Sequence, residues 1–419
     1  MFRKIVLSIM VLFGITSLSN ADNFSTQEES LFENICKRQT LTEGFFGLSD
    51  SLAESGIEVG FAVTNVYQQN VRGGISTHRR AGRNSGSYDL EVLADIDKLL
   101  GFENGGLYIH AEGGWTDTEG IDGVAVGSAF GINSDAKGNY SLDIIECFYE
   151  GTIFENSLNV MVGKIDFTWV FDGSEFADCE CTQFMNDAFV NNPTIPFPAY
   201  SLAVVLSYEP DESWYVMGGA ADAQADGRET GFRTTFYGED YFLYMLEAGV
   251  KPELESSNGT LHGTYRIGLW NDPQPKANSD SVKNYRDDVG FFLSCDQMLA
   301  KEDNQAEDSQ GLGAFIRYGY ADSKKNDITN FWSVGFQYQG LIEGRDGDIL
   351  GAGYARGTFS NCASATYPED YESAMELYYN AQLTPWLNIS PSVQYITNPG
   401  GSNVISDAVV VGLRAQMLF

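Results

Sequence analysis

The sequence predicts an all-β protein, a transmembrane antiparallel β-barrel of about sixteen strands with a short N-terminal segment outside it. Three observations predict this. The last eleven positions alternate: Val409, Val411, Leu413, Ala415, Met417 and Phe419 fall on one face, and Val410, Gly412, Arg414, Gln416 and Leu418 on the other. That period of two is the strand period, and an apolar outer row closing on an aromatic suits a lipid-facing strand with a wetter inner face. The same pattern recurs along the chain in segments of about ten residues between turn-rich stretches. The chain also opens with an export signal.

That signal is residues 1–21. Arg3 and Lys4 form a basic start, Ile5 to Leu18 is mostly apolar, and Ser19-Asn20-Ala21 supplies the small residues of a cleavage site, which predicts cutting after Ala21. The apolar run is shorter than the ~20 residues of a spanning helix. With no other helical span in prospect, the mature chain either stays in water or crosses a membrane as a closed barrel. Residues 22–55 are not strand-like. Leu31, Phe32 and Ile35 have helical spacing, so a short helix at the periplasmic side or the barrel mouth is one expectation and a frayed leader the other. Residues 56–419 form the barrel as one domain.

Composition narrows the class. The chain has 25 basic and 58 acidic residues, a formal charge of −33, which argues against nucleic acid as a partner because phosphates would be repelled. The acidic residues are scattered and aromatics are plentiful, so disorder is not implied. Six cysteines (Cys36, Cys147, Cys179, Cys181, Cys295, Cys362) sit in an exported chain where disulfides can form. Cys179 and Cys181 are too close to bridge comfortably, so each pairs elsewhere or stays free. Their spacing is not a zinc-finger spacing and only three histidines exist, so neither a metal nor another cofactor is expected.

Strands are expected to start at Ile57, Ser87, Gly106, Tyr140, Ser157, Tyr200, Ser213, Tyr241, Thr260, Tyr285, Leu312, Asn330, Asp348, Tyr371, Trp386 and Ala408. The even number is what single-chain bacterial barrels require. In 331–339, Trp332, Val334, Phe336 and Tyr338 oppose Ser333, Gly335, Gln337 and Gln339. In 374–383, Met375, Leu377 and Tyr379 oppose Glu376, Tyr378 and Asn380. Alternation alone fits a soluble barrel too. The strand number decides, because so wide a barrel cannot be filled by its own wall side chains and holds water or loops. The long connections 115–138, 171–198, 271–284 and 301–310 are polar. Long loops belong on the outer side, where one can fold inward and narrow the pore.

Several stretches together resemble the carbohydrate-selective porins of the OprB family. One block is Gly163-Lys164-Ile165-Asp166-Phe167-Thr168, then Phe171-Asp172, Ser174-Glu175-Phe176-Ala177, Gln183-Phe184-Met185-Asn186 and Phe189-Val190-Asn191-Asn192-Pro193. A second is Leu383-Thr384-Pro385-Trp386-Leu387, then Pro391 to Ile396 and Asn398-Pro399-Gly400-Gly401. Tyr67 to Gly74 is similar to the family's first strand, and Val411 to Arg414 to its last. The stretch Thr42 to Gly47 departs from the family's pattern ahead of the first strand, and Asp178-Cys179-Glu180-Cys181 is unusual for it. The resemblance implies a sixteen-stranded outer-membrane barrel through which small sugars diffuse passively.

Neutral, hydroxyl-rich solutes call for hydrogen-bonding groups of both signs and for aromatic faces, with binding weak enough for release. Strand phase offers Glu146, Lys164, Asp166, Glu247, Arg266, Arg317, Glu376 and Arg414 as lumen candidates, each alternatively a paired wall residue. Arg72, Arg79, Arg80 and Arg83 form the basic cluster of an acidic chain and suit either the lumen or the lipid surface. Trp115, Trp169 and Phe171 are candidates for stacking on sugar, while Trp386 reads as an interface anchor. A general, cation-preferring diffusion pore and a structural envelope barrel are the alternatives. No Gly-x-Ser-x-Gly motif appears and no histidine has triad neighbours, so an enzyme is not expected. The expected partners are carbohydrates and outer-membrane lipid, and both a monomer and a homotrimer fit.

Overall fold

The computed structural model describes residues 35–419 except 79, 102–104, 117–119, 154–156, 237, 282 and 304–308. The expected signal peptide, most of the expected 28–36 helix, and Arg79 lie outside the described residues. Seventeen strand segments make one antiparallel sheet: β1 Ile57–Gly74, β2 Gly82–Asp95, β3 Gly105–Gly114, β4 Tyr140–Ile153, β5 Leu158–Ile165, β6 Ser201–Asp211, β7 Trp214–Asp222, β8 Phe242–Val250, β9 Glu253–Ser256, β10 Gly259–Asp272, β11 Asp288–Lys301, β12 Gly311–Ala321, β13 Ile328–Gln339, β14 Ile349–Phe359, β15 Tyr371–Thr384, β16 Leu387–Thr397 and β17 Ser406–Leu418. Segments β8 and β9 both pair with β10, so together they occupy one wall position and the wall has sixteen (17 − 1).

The sheet closes because β1 pairs with β17 as well as with β2. Phe419 N donates to Phe61 O at 2.9 Å and the two rings lie 5.4 Å apart, so the terminal aromatic seals the seam. Closure leaves no unpaired edge to face lipid. Among the described residues no helix is long and apolar enough to cross a membrane, so strands alone make the span.

The predicted alternation decides which way each side chain points. Trp332, Val334, Phe336, Met375, Leu377 and Leu413 are exposed on the outer face, whereas Ser333, Gln337, Glu376, Ser392, Gln394 and Arg414 are buried on the inner one. Outward aromatics gather toward the ends of the barrel: Tyr88 stacks on Trp115 at one end and Tyr208 packs edge-on against Trp214 at the other. Such rings suit the headgroup layers.

The longest connections leave one end of the barrel: 115–139, 166–200, 223–241 and 273–287, together with the shorter 75–81, 360–370 and 398–405. The opposite end carries the tight turns, the connections 302–310 and 340–348, and the N-terminal segment. The 302–310 connection lies at this second, periplasmic end rather than among the outer loops, because successive connections alternate between the ends and 273–287 before it is an outer one. Here the segment α1, Glu43–Glu54, opens in a left-handed turn through Gly44–Gly47, where the Thr42 side chain accepts from Phe45 N, and becomes a right-handed helix only after it. Leu41 N donates to Leu418 O (2.8 Å) and Trp386 Nε1 to Ile35 O (2.9 Å), so the segment is stitched to the barrel's base and Trp386 serves as an anchor there.

Candidate pore constriction

The barrel interior is narrowed by two connections that fold inward. The 115–138 loop packs Ile121, Ala125, Val126 and Ile132 against the inner face. The 166–200 loop carries short helices at Phe167–Val170 (α2) and Asp187–Val190 (α3), each capped by its preceding side chain, Asp166 and Asn186. Its Phe176, Phe184 and Phe189 meet Phe315, Phe331 and Tyr378 of the wall, while Phe167, Val170 and Phe171 meet Phe148, Met217, Met245 and Trp270. The wall makes room with glycine. A Cβ on Gly313 would lie 2.2 Å from the Phe176 ring, and one on Gly353 2.6 Å from the Phe189 ring. Apolar patches on a lumen face are therefore loop-docking surface.

Polar anchors fix the loop in that seat. Arg414 Nη1 donates to Glu180 O (2.5 Å) and Gln183 O (3.0 Å). Arg317 Nη1 donates to Phe189 O (2.7 Å) and Val190 O (3.0 Å), and its Nη2 pairs with Asp178. Glu376 accepts from Met185 N (3.0 Å) and Asn186 N (2.9 Å). Glu247 accepts from Asp172 N at 2.8 Å, and Asp296, itself paired with Arg266 at 2.6 Å, accepts from Ser174 Oγ at 2.7 Å. Glu146 accepts from Asp166 N (2.9 Å) and Trp169 Nε1 (2.8 Å). Arg414, Arg317, Glu376, Glu247 and Glu146 thus satisfy backbone groups of the loop, which is the condition for burying both.

Five of the lumen candidates, Glu146, Glu247, Arg317, Glu376 and Arg414, accordingly sit inside the barrel and bond the constriction loop, and Arg266 sits inside beside them, paired with Asp296. Asp166 is inside too, as a helix cap bonded to Thr168. Burial, then the neighbouring Glu146, pushes its carboxyl up to about 6. Lys164 Nζ donates to Ile144 O, Gly227 O and Glu229 O, tying the 223–241 loop to the wall. The basic cluster divides. A register shift between Asn70 and Arg72 sets Arg72 opposite Val409, on the outward row, so Arg72 stands on the exterior rim rather than in the lumen. Arg80 is exposed in the 75–81 loop, and Arg83 donates to Gly120 O at 3.1 Å, bracing the 115–138 loop.

The aromatic candidates also divide. Trp115 shares the outward phase of Tyr88 and lies over Gly86, so it faces the headgroup layer instead of sugar. Phe171 is fully buried beneath the loop and presents no face to a solute. Trp169 is 36% exposed within the lumen, held by Glu146 and resting against Phe148.

Strand phase missed the polar groups that the infolded loops carry. Lys137, at the end of the 115–138 loop, pairs with Glu180 (3.2 Å) and Glu112 (4.0 Å). Burial alone would lower its ammonium pKa, but Glu180 and its neighbours hold it well above the ordinary value. Arg228 pairs with Asp143 at 3.7 Å and lies over the Tyr140 ring at 5.2 Å. Burial pushes Asp172 and Asp178 up to about 6 against the pull of Arg317. Cys179 and Cys181 flank Glu180, and all six cysteines are free. Among the described residues no cluster of three or more His, Cys, Asp or Glu side chains has a metal-holding arrangement.

A closed barrel of sixteen wall positions, oily outside, hydrated inside and narrowed by an infolded loop, is a diffusion channel of the outer membrane. The chain belongs to the carbohydrate-selective porin, OprB family, whose model matches residues 79–419. It is 23% identical to Porin B of Pseudomonas aeruginosa, covering 89% of this chain and 90% of that one. It is 21% identical to the putative porin QuiX of Acinetobacter baylyi, covering 91% and 93%. The fold superposes on a high-pH structure of Pseudomonas putida OprB with a TM-score of 0.80 at 19% identity, covering 92% and 99%.

Proposed function

We propose that this barrel passes small sugars passively, with Trp169 and the Lys137–Glu180–Glu112 cluster forming the surface that a sugar touches. The observation that carries the reading is local ion pairing, with Lys137 shared between Glu180 and Glu112. The whole chain is strongly acidic, yet the constriction pairs its cations with carboxylates, as Lys137 with Glu180 and Arg228 with Asp143. Paired groups donate and accept hydrogen bonds without attracting one ion strongly, and the Trp169 face suits the C–H side of a pyranose. The porin family and the barrel fold support a channel as the working form. Export by residues 1–21 and a barrel domain beginning near residue 56 complete the proposal.

Liposome swelling and sugar block of single-channel current test it. Mono- and disaccharides should enter faster than uncharged solutes of equal size without ring faces, and Trp169→Ala should weaken the block while leaving ion conductance nearly unchanged. If no sugar interrupts the current and cations pass preferentially, the barrel is a general cation-preferring porin.

A further inference from the structure

We propose that the 223–241 connection is a membrane-seated flap, which hangs over the lipid side of β5 and β6 and sinks Phe232 and Phe236 into the outer leaflet. Lys164 shows which side of the wall it covers. Across the ladder Lys164 pairs with Cys147 of β4 and with Leu202 of β6. Opposed residues share a face of the sheet. On the next rung Tyr149, Val162 and Val204 are all exposed, whereas Met161, Ile165 and Ala203, in the other phase, belong to the inner apolar cluster. Lys164 therefore points outward, contrary to its expected place in the lumen. A bare ammonium there would face lipid, and the connection prevents this. Its Nζ donates to Gly227 O (2.6 Å) and Glu229 O (2.9 Å), beside Ile144 O (2.9 Å), which leaves Lys164 only 6% exposed.

The path beyond Lys164 stays outside. Gly227 sits against Tyr200 and Arg228 over Tyr140, at the barrel mouth. Gly231 then lies on Leu202, the outward residue next above Val204. Its φ of 91° is open to glycine, and a Cβ there would fall 2.7 Å from Leu202 Cγ, so the backbone runs directly on the outer wall. One helical turn follows, Phe232–Thr235. Its inner side is bolted down, with Thr235 buried and its Oγ1 donating to Asp222 at 2.8 Å. Its other side presents Phe232 and Phe236, 65% and 67% exposed, with ring centroids 6.2 Å apart. Two arguments identify lipid as what covers them. The rings continue the exposed outer row of Val204, Leu206, Tyr244 and Leu246, which already faces the bilayer. By themselves they offer about 300–500 Å², short of the roughly 800 Å² per partner of a stable protein interface, whereas a lipid boundary needs no matching surface. This inference does not depend on which solute the barrel carries.

The test places a nitroxide on F232C in the full-length barrel, with the six cysteines replaced by serine, in phosphatidylcholine vesicles. Accessibility to oxygen, which concentrates in lipid, is compared with accessibility to a water-soluble nickel chelate. Position 232 should favour oxygen, as L206C on the outer row should, while V404C on an exposed outer loop should favour nickel. Adding K164M should shift position 232 toward nickel, because the flap loses the bonds that latch it. The parent protein covers the case of a variant that misfolds. Photolysed in vesicles of phosphatidylcholine with a diazirine in the acyl chain, it should carry adducts on Phe232 or Phe236. A nickel-favouring label at 232, or photoadducts on β6 and β8 with none on 231–236, would overturn the proposal. Exclusion of both reagents with spin–spin broadening would overturn it too, by showing a second copy over the rings. An unshifted label in K164M would overturn the latch.

Discussion

Arg414→Met separates the loop's anchoring from the barrel's own stability. Arg414 is fully buried on β17, and methionine fills most of its volume without a donor. The substitution deletes two charged hydrogen bonds to the constriction loop, at 2.5 and 3.0 Å, and leaves Glu180 O and Gln183 O unpaired in a buried site. Hydrogen bonds to charged groups are worth about 1.5–3 kcal/mol each, so the gross loss is about 3–6 kcal/mol. Water entering the vacated site recovers part of it, and we take about 3 kcal/mol as the net. At 1.4 kcal/mol per decade this raises the released-to-seated ratio of the 178–186 segment roughly a hundredfold. The wall ladder between β16 and β17 is backbone-paired and should be untouched. In planar bilayers the variant should show larger, noisier single-channel steps, and hydrogen exchange at 178–186 should accelerate while β17 stays protected. A conductance histogram and loop exchange identical to the parent would refute the anchoring argument. Loss of protection throughout the barrel would refute its locality.

Three further outcomes follow from the same geometry. Lys137→Gln leaves Glu180 and Glu112 without their shared cation, so the cation-to-anion permeability ratio, read from reversal potentials in a salt gradient, should rise about two- to fivefold, the Boltzmann factor for about 0.5–1 kcal/mol in a wet pore. Asp172 and Asp178 have folded values near 6 against an ordinary 3.8, so protonation favours the seated loop. Their contribution is full below about pH 4 and is lost as the pH rises through about 6. Loop exchange, corrected for intrinsic rate, should therefore be slower at pH 5 than at pH 7, and Asp172→Asn should shrink the difference. Gly353→Val drives a side chain into the Phe189 ring, and overpacking of this kind costs about 1–3 kcal/mol. The variant should open wider in conductance or melt earlier, and a variant matching the parent in both would show that the ring moves freely.

The wall was legible in the sequence because strand phase is a local property. Fifteen of the sixteen expected starts fall within three residues of an observed strand, and the sixteenth, Ser87, lies five residues inside β2, which begins at Gly82. Inward phase also placed Glu247, Arg317, Glu376 and Arg414 correctly on the inner face. It could not say what they touch, because their partners are backbone groups of a loop more than a hundred residues away for Arg317 and Arg414. Arg72 escaped for a different reason. One extra residue at a bulge inverts the phase, and no pattern of residue types marks it. Lys137 was invisible because a loop has no period, so nothing in the sequence orders its side chains relative to the wall.

That asymmetry bears on how such a channel can change its solute. The inner charges of β12, β15 and β17 are committed to the loop's backbone. Replacing Arg317, Glu376 or Arg414 perturbs the aperture before it perturbs recognition. The groups proposed to meet a solute, Trp169, Lys137 and Glu180, stand on the two infolded loops, while their wall partners Glu146 and Glu112 stand on β4 and β3. Loop side chains can be exchanged without disturbing a single ladder hydrogen bond, because the barrel's pairing ends where the loops begin. Selectivity can therefore drift while the wall stays fixed, provided the carbonyls that Arg317 and Arg414 hold remain within reach.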